Sequence, residues 1–283
     1  MATRYLGHSA LSSCVESVKC RLFATIVVAS VLITPLAGET APAPARRVVY
    51  VRDAATLTAR PEPLLRLVDA RAITDVAPYG LGPLLATRAG RTAAAAWIDE
   101  LHAHGARVII PIAGRDRLRA LDALRAEHPA TYVDALVTEL EFWNRRDDRS
   151  RAFEDAMQLI AEMRAWARGT SRKVDVGAYL GYPTRAEAAR LAGAIDFAYL
   201  NYSVASPARA WTSQRARYAL FAGTRVALWP IFYATGEVDM RDALDAGGVG
   251  GAEAAFTADQ RRDAAAAPAG FVYFTLEAMP GFH

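Results

Sequence analysis

The chain has 283 residues, 53% of them hydrophobic, and a formal net charge of +3 that comes almost wholly from scattered arginine. That length suits one large domain of barrel type or two small ones, and the lack of a basic run with interleaved aromatics argues against nucleic acid as a partner. Both cysteines, Cys14 and Cys20, lie near the N-terminus, so the remainder of the chain has no disulfide, no thiol nucleophile and no cysteine metal site.

In chain order, the first feature is the apolar run Leu22 to Ile33, preceded by Lys19 and Arg21 and followed by small residues around Pro35, Ala37 and Ala41 to Ala45. The run is too short for a bilayer core, which needs about 20 residues, and the basic, apolar and small-residue order is that of a secretory signal. Residues 1–45 are therefore read as signal peptide and short linker, cut at either end of Thr40 to Ala45, and residues 46–283 as the domain. An uncleaved anchor and a buried core helix are the competing readings. The mature protein is expected to be secreted or periplasmic, with lipid or membrane anchoring left open. No later segment is long and apolar enough to span a membrane.

From Arg47 onward, short β-branched runs alternate with alanine-rich helical stretches. Strands are predicted at Val48 to Val51, Leu64 to Val68, Ala106 to Ile112, within Val133 to Phe142, and at Val174 to Leu180. Three more are predicted at Phe197 to Tyr202, Arg225 to Tyr233 and Gly270 to Leu276. Helices are predicted at Thr92 to His104, Asp116 to Ala126, Ser150 to Arg168 (with Ser150 as N-cap), Arg185 to Ala192, Ala210 to Phe221 and Ala252 to Ala265. Leucines 118, 121 and 124 have the spacing of a core-facing stripe, and Phe153, Met157, Ile160, Met163 and Trp166 fall at helical spacing. Eight apolar strands separated by helices imply a parallel sheet covered by helices. The expected fold is α/β, a single (β/α)8 TIM barrel. A doubly wound open sheet is the alternative, but no glycine-rich phosphate fingerprint follows the first strand. Polar residues also gather at strand ends, where a barrel has its mouth.

The fourth strand carries the strongest chemical signal. Along Asp134 to Glu141, alternation puts Val137, Glu139 and Glu141 on one face and Leu136, Thr138 and Leu140 on the other. With the leucines against helices, both glutamates point into the barrel, about 6.5–7 Å apart along the strand. Desolvation and like-charge repulsion should raise one pKa of such a pair, leaving a carboxylic acid able to protonate a glycosidic oxygen. The competing readings are an ion-paired structural carboxylate and an exposed edge strand.

This strand resembles a divergent form of the glycoside hydrolase family 18 signature, DxxDxDxE, of chitinases and endo-β-N-acetylglucosaminidases. Asp134 matches the first aspartate, Val137 and Glu139 stand at the second and third, and Glu141 matches the terminal glutamate. Val108 to Gly114 resembles the third-strand run of that family. Tyr199 to Tyr202, followed by Ser203, resembles the sixth-strand M-x-Y-D segment, and Gly270 to Glu277 the eighth strand. The resemblance implies substrate-assisted retaining hydrolysis. Glu141 would be the general acid, while Glu139 and Tyr202 would orient the substrate's 2-acetamido group.

Further binding candidates are the aromatics near strand ends, Trp143, Tyr179, Tyr182, Tyr202, Trp229, Tyr233 and Phe274, which suit the C–H faces of sugars. Asn201 and Glu277 are added as substrate-binding residues. Asp53, Asp69 and Asp75 are weaker candidates for the mouth. His102 and His104 sit near a helix end and His128 in a loop, so neither a metal triad nor any cofactor is expected, and no G-x-S-x-G elbow occurs. The expected partner is a carbohydrate polymer or oligosaccharide. Two alternatives are a non-catalytic, lectin-like barrel and a glycosidase pairing Glu141 with Glu277 or Glu139 without acetamido help. The mature protein is expected to begin near residues 38 to 46. Peptide mapping of soluble periplasmic or culture-supernatant protein should recover no peptide from residues 1 to 30.

Overall fold

The computed structural model describes residues 46–201, 207–233, 241–263 and 265–275. The predicted signal segment, Tyr202, Ser203, Leu276 and Glu277 lie outside them. Eight parallel strands close into a barrel in sequence order: β1 Arg46–Val51, β2 Asp75–Pro78, β3 Arg107–Ile112, β4 Ala135–Thr138, β5 Asp175–Leu180, β6 Phe197–Leu200, β7 Ala227–Tyr233 and β8 Gly270–Phe274. β8 returns to β1, with Val48 beside Val272, so the sheet has no free edge. The covering helices are α1 Ala54–Ala59, α2 Glu62–Arg71, α3 Gly82–Leu85, α4 Arg88–Ala103, α5 Arg115–Glu127, α6 Arg149–Arg168, α7 Arg185–Ala192, α8 Pro207–Leu220 and α9 Arg241–Arg262.

The predicted second strand is a correction. Leu64 to Val68 lies within helix α2, with Pro61 at its start and Ala72 closing it in the left-handed region. Leu64, Leu65, Leu67 and Val68 are all buried, so a helix stripe of clustered leucines had the look of a short apolar strand. The true β2 is only Asp-Val-Ala-Pro, opening on a buried aspartate. Ser150 is a second correction, because α6 begins at Arg149 with Asp148 before it. Helix α4 begins at Arg88, four residues ahead of the predicted start, and Thr87 caps it, accepting from Gly90 N–H at 3.0 Å.

The barrel interior is filled by rings. Tyr199 lies between Tyr50 at 6.2 Å and Trp229 at 6.1 Å, centroid to centroid, and Phe197 packs on it at 5.0 Å. Two glycines make that filling possible. A Cβ on Gly177 would run into the Phe197 ring, and one on Gly270 into Trp229. Below the rings, at the N-terminal ends of the strands, lies a layer of charge. Fully buried Asp75 is bound by the Arg46 guanidinium and by Thr74 Oγ1 at 2.6 Å. Arg107 reaches Asp175 at 3.2 Å and Asp134 at 3.7 Å.

Asp134 belongs to this end of the barrel, away from the mouth. Its Oδ2 accepts from Val108 N–H at 2.8 Å and lies 2.9 Å from His102 Nε2, whose ring stacks on Tyr132. Burial alone would raise its pKa. The bonds from His102 and Val108 and the charge of Arg107 outweigh that and hold the carboxyl below its ordinary value of 3.8. Asp134→Ala should destabilise the protein by about 1–3 kcal/mol at pH 7, because it strands those donors. A depressed carboxylate pKa stabilises above the unfolded value and stops doing so as pH falls through the folded one. The gap between wild type and variant in chemical denaturation should therefore narrow below pH 3.8.

Candidate active site

The site is built where β4 ends. Glu139 still follows the ladder, its N–H donating to Ile112 O at 3.0 Å. The chain then leaves the strand, and Glu141 stands ahead of a 3-10 turn at Phe142–Asn144. The two glutamates consequently have different surroundings. Glu139 is recessed, and Tyr50 of β1 donates its hydroxyl to Glu139 Oε1 at 2.6 Å across the barrel. Because β1 and β4 are not neighbours, this bond establishes that both side chains face the interior. Glu141 is exposed, with Asn144 Nδ2 donating to its Oε2 at 2.6 Å. Both line a groove of about 770 Å³ that runs past Asn144 towards Arg151 and Asp155.

Burial pushes the Glu139 pKa up to about 7; the Tyr50 hydrogen bond draws it down and the nearby Glu141 raises it further. One member of the pair was expected to be raised, and it is the inner one. Tyr50 is itself raised well above the ordinary phenol value, chiefly by burial and then by Glu139, so it remains a donor at all ordinary pH. Beside the pair, Tyr179 and Tyr233 approach hydroxyl to hydroxyl at 3.2 Å, and Tyr233 donates to Asn201 Oδ1 at 2.8 Å. Burial raises both tyrosines' pKa values, and the charges of Glu139 and Glu141 add to it. Phe274 joins this wall, 5.5 Å from Tyr50 and 5.3 Å from Tyr233.

Of the predicted site residues, Glu139, Glu141, Tyr179, Asn201, Tyr233 and Phe274 are thus brought to the mouth. Trp143 is only 6% exposed and packs on Tyr179 at 5.4 Å, over Gly181, where a Cβ would collide with the indole. It is a wall behind the tyrosine, not an open sugar platform. Trp229 is buried under the Arg46 guanidinium at 4.8 Å, towards the charged end. Asp75 is at that end too, and Asp69 lies on α2 near His104. Tyr202 and Glu277 are outside the described residues. Tyr50 was not singled out from sequence. Its signal lay in alternation, since Arg46, Val48 and Tyr50 share a face of β1. Among the described residues no group of three or more His, Cys, Asp or Glu is placed to hold a metal ion, and no helix is long and apolar enough to cross a membrane.

No protein-family model and no curated protein matches the sequence. Solved structures do match the fold. ScGas2 in complex with compound 8 superposes with a TM-score of 0.52 at 12% identity, over 82% of this chain and 56% of that one. The present chain thus spans just over half of ScGas2. A chitinase from Bacteroides thetaiotaomicron gives 0.50 at 11% identity, over 83% and 90%. A β-glucosidase from Thermotoga maritima gives 0.52 at 12% identity, over 78% and 77%. At such identities the likeness establishes the (β/α)8 barrel, shared with glycoside hydrolases.

The Tyr50 bond has a measurable consequence. Tyr50→Phe removes a donor that favours the ionised carboxylate, so Glu139 should titrate above about 7 in the variant. Carboxyl resonances followed by NMR across pH 5–9 would report the shift.

Proposed function

We propose that the chain is an exported glycoside hydrolase acting on N-acetylated amino-sugar glycans at the mouth of the barrel. The observation that carries this reading is the recessed Glu139 carboxyl, held by Tyr50 two residues before the exposed Glu141. Two carboxyls so close on one strand end approach a sugar from the same side. An ordinary retaining or inverting pair must flank the scissile bond from opposite sides. A nucleophile supplied by the substrate, the 2-acetamido oxygen, fits the arrangement better. The family 18 resemblance of β4 and the barrel shared with a chitinase support the same chemistry.

The pair holds one proton near neutrality, resting on Glu139. A glycan lying over the mouth excludes water from the pair, and the proton passes from Glu139 to Glu141. Glu141 then protonates the glycosidic oxygen as the C–O bond breaks, and the acetamido carbonyl oxygen bonds to the anomeric carbon. Glu139, now ionised, accepts from the acetamido N–H and balances the oxazolinium charge. Water activated by Glu141 opens the ring and returns the proton. Activity should therefore decline as pH rises through about 7.

Glu141→Gln should lower kcat on N-acetylglucosamine oligomers about 10²–10⁴-fold and much less on nitrophenyl glycosides, whose leaving group needs no proton. Glu139→Gln should impair both substrates. Unchanged turnover in Glu141→Gln overturns the mechanism. The pKa of Glu139 favours a second reading, in which Glu139 itself delivers the proton; the leaving-group pattern would then belong to Glu139→Gln. Binding of oligomers by wild type without turnover would identify a lectin-like barrel.

A further inference from the structure

We propose that Tyr79 and Tyr182 are outer sugar platforms on either side of β4, so that a glycan of several units lies across the mouth and is cut internally. This rests on the glycan-binding reading above and adds the length of the substrate and the residues that register it. Among the described residues these are the large hydrophobics left exposed, at 47% and 62%. Tyr79 follows Pro78, the last residue of β2, and Tyr182 follows Gly181 just beyond β5. In the ring of strands β2-β3-β4-β5, the strand bearing both carboxyls lies between them. A chain resting on both rings would pass over Glu141.

Exposure alone would not distinguish a platform from a solvated loop tyrosine. The mounting does. The Arg217 guanidinium stacks on the Tyr182 ring, 4.3 Å from its centroid. Arg217 is itself buried, 5% exposed, and donates to the carbonyls of Gly181 and Ser213. Arg149, paired with Glu187, donates to the Tyr182 carbonyl at 2.6 Å. One ring face is therefore occupied by a fixed cation and the backbone is clamped on both sides, while most of the ring stays in water. Burying a guanidinium is costly, and desolvation lowers the Arg217 pKa. Tyr79 opens a tight turn, Tyr79–Leu81, whose Gly80 packs on the carbonyl of Arg52; Gly82, which starts α3 directly after it, packs on the half-buried Arg117 guanidinium. The Tyr182 ring and the Tyr79 backbone are thus pre-ordered, so little freedom is lost when a sugar's C–H face settles on them.

The test is a titration in the Glu141→Gln background, where substrate persists, with oligomers of two to six units of N-acetylglucosamine, β-glucose and β-galactose. Affinity should rise with length. Tyr79→Ala and Tyr182→Ala should each weaken binding of the longer oligomers about three- to tenfold and leave dimers unchanged. Tyr182→Phe should keep the wild-type affinity. Both positions are exposed, so thermal melts should match the parent protein. Parent affinity for the hexamers in both alanine variants overturns the platforms alone. No binding of any oligomer by the unsubstituted chain overturns the glycan reading together with them.

Discussion

The hydrogen bond from Tyr50 to Glu139 ties the first strand to the fourth across the barrel, and the character of the mouth depends on it. A carboxyl cannot be recessed among aromatic rings without a partner, and Tyr50 supplies one that never ionises in the working range. The bond is available only because the ring of Tyr199 fills the space beneath and the rings of Tyr179, Tyr233 and Phe274 close the sides. The folded protein holds a proton on Glu139 that the unfolded chain, with an ordinary value of 4.5, has already released. Folding stability therefore falls as pH rises from about 4.5 to about 7, and the cost is fully present above that. A barrel optimised for stability alone would have a leucine there.

The two ends of the barrel handle charge in opposite ways. At the N-terminal end, Asp75, Asp134 and Asp175 each meet an arginine, histidine or backbone donor, so their charge is neutralised locally and serves the closure of the strands. At the mouth, the hydrogen bonds to Glu139 and Glu141 among the described residues come from neutral donors, a phenol and an amide. The charge of Glu141 is therefore left to act on Glu139 and adds to the rise that burial causes. Two arginines beyond the strand ends are engaged elsewhere: Arg149 with Glu187, and Arg217 with two carbonyls and the Tyr182 ring.

Much of this was legible in the amino-acid order, for local reasons. Strand and helix alternation, the inward face of Glu139 and the cluster of aromatics at strand ends follow from periodicity, which each segment displays by itself. β2 was not legible, because a strand of four residues opening on an aspartate has no apolar run. Its buried Asp75 makes sense only beside Arg46, 29 positions away. Asp134 shows the same limit: its spacing from Glu141 matched a catalytic pattern, but its partners His102 and Val108 come from other elements and place it at the structural end.

The sequence by itself determined seven of the eight strands, their alternation with helices that implies a barrel, and the two glutamates at the end of the fourth. Side-chain alternation along a strand has a period of two and needs no knowledge of neighbours. Only the tertiary structure decided which glutamate is recessed and which is open, that Trp143 and Trp229 are packing residues, and that Tyr50 is the partner of Glu139. Those outcomes depend on desolvation and hydrogen bonding between residues distant in sequence, and on where the chain leaves the ladder: β4 ends at Thr138 and Glu139 makes the last bond to β3. One residue remains in the interior and the other turns out into water.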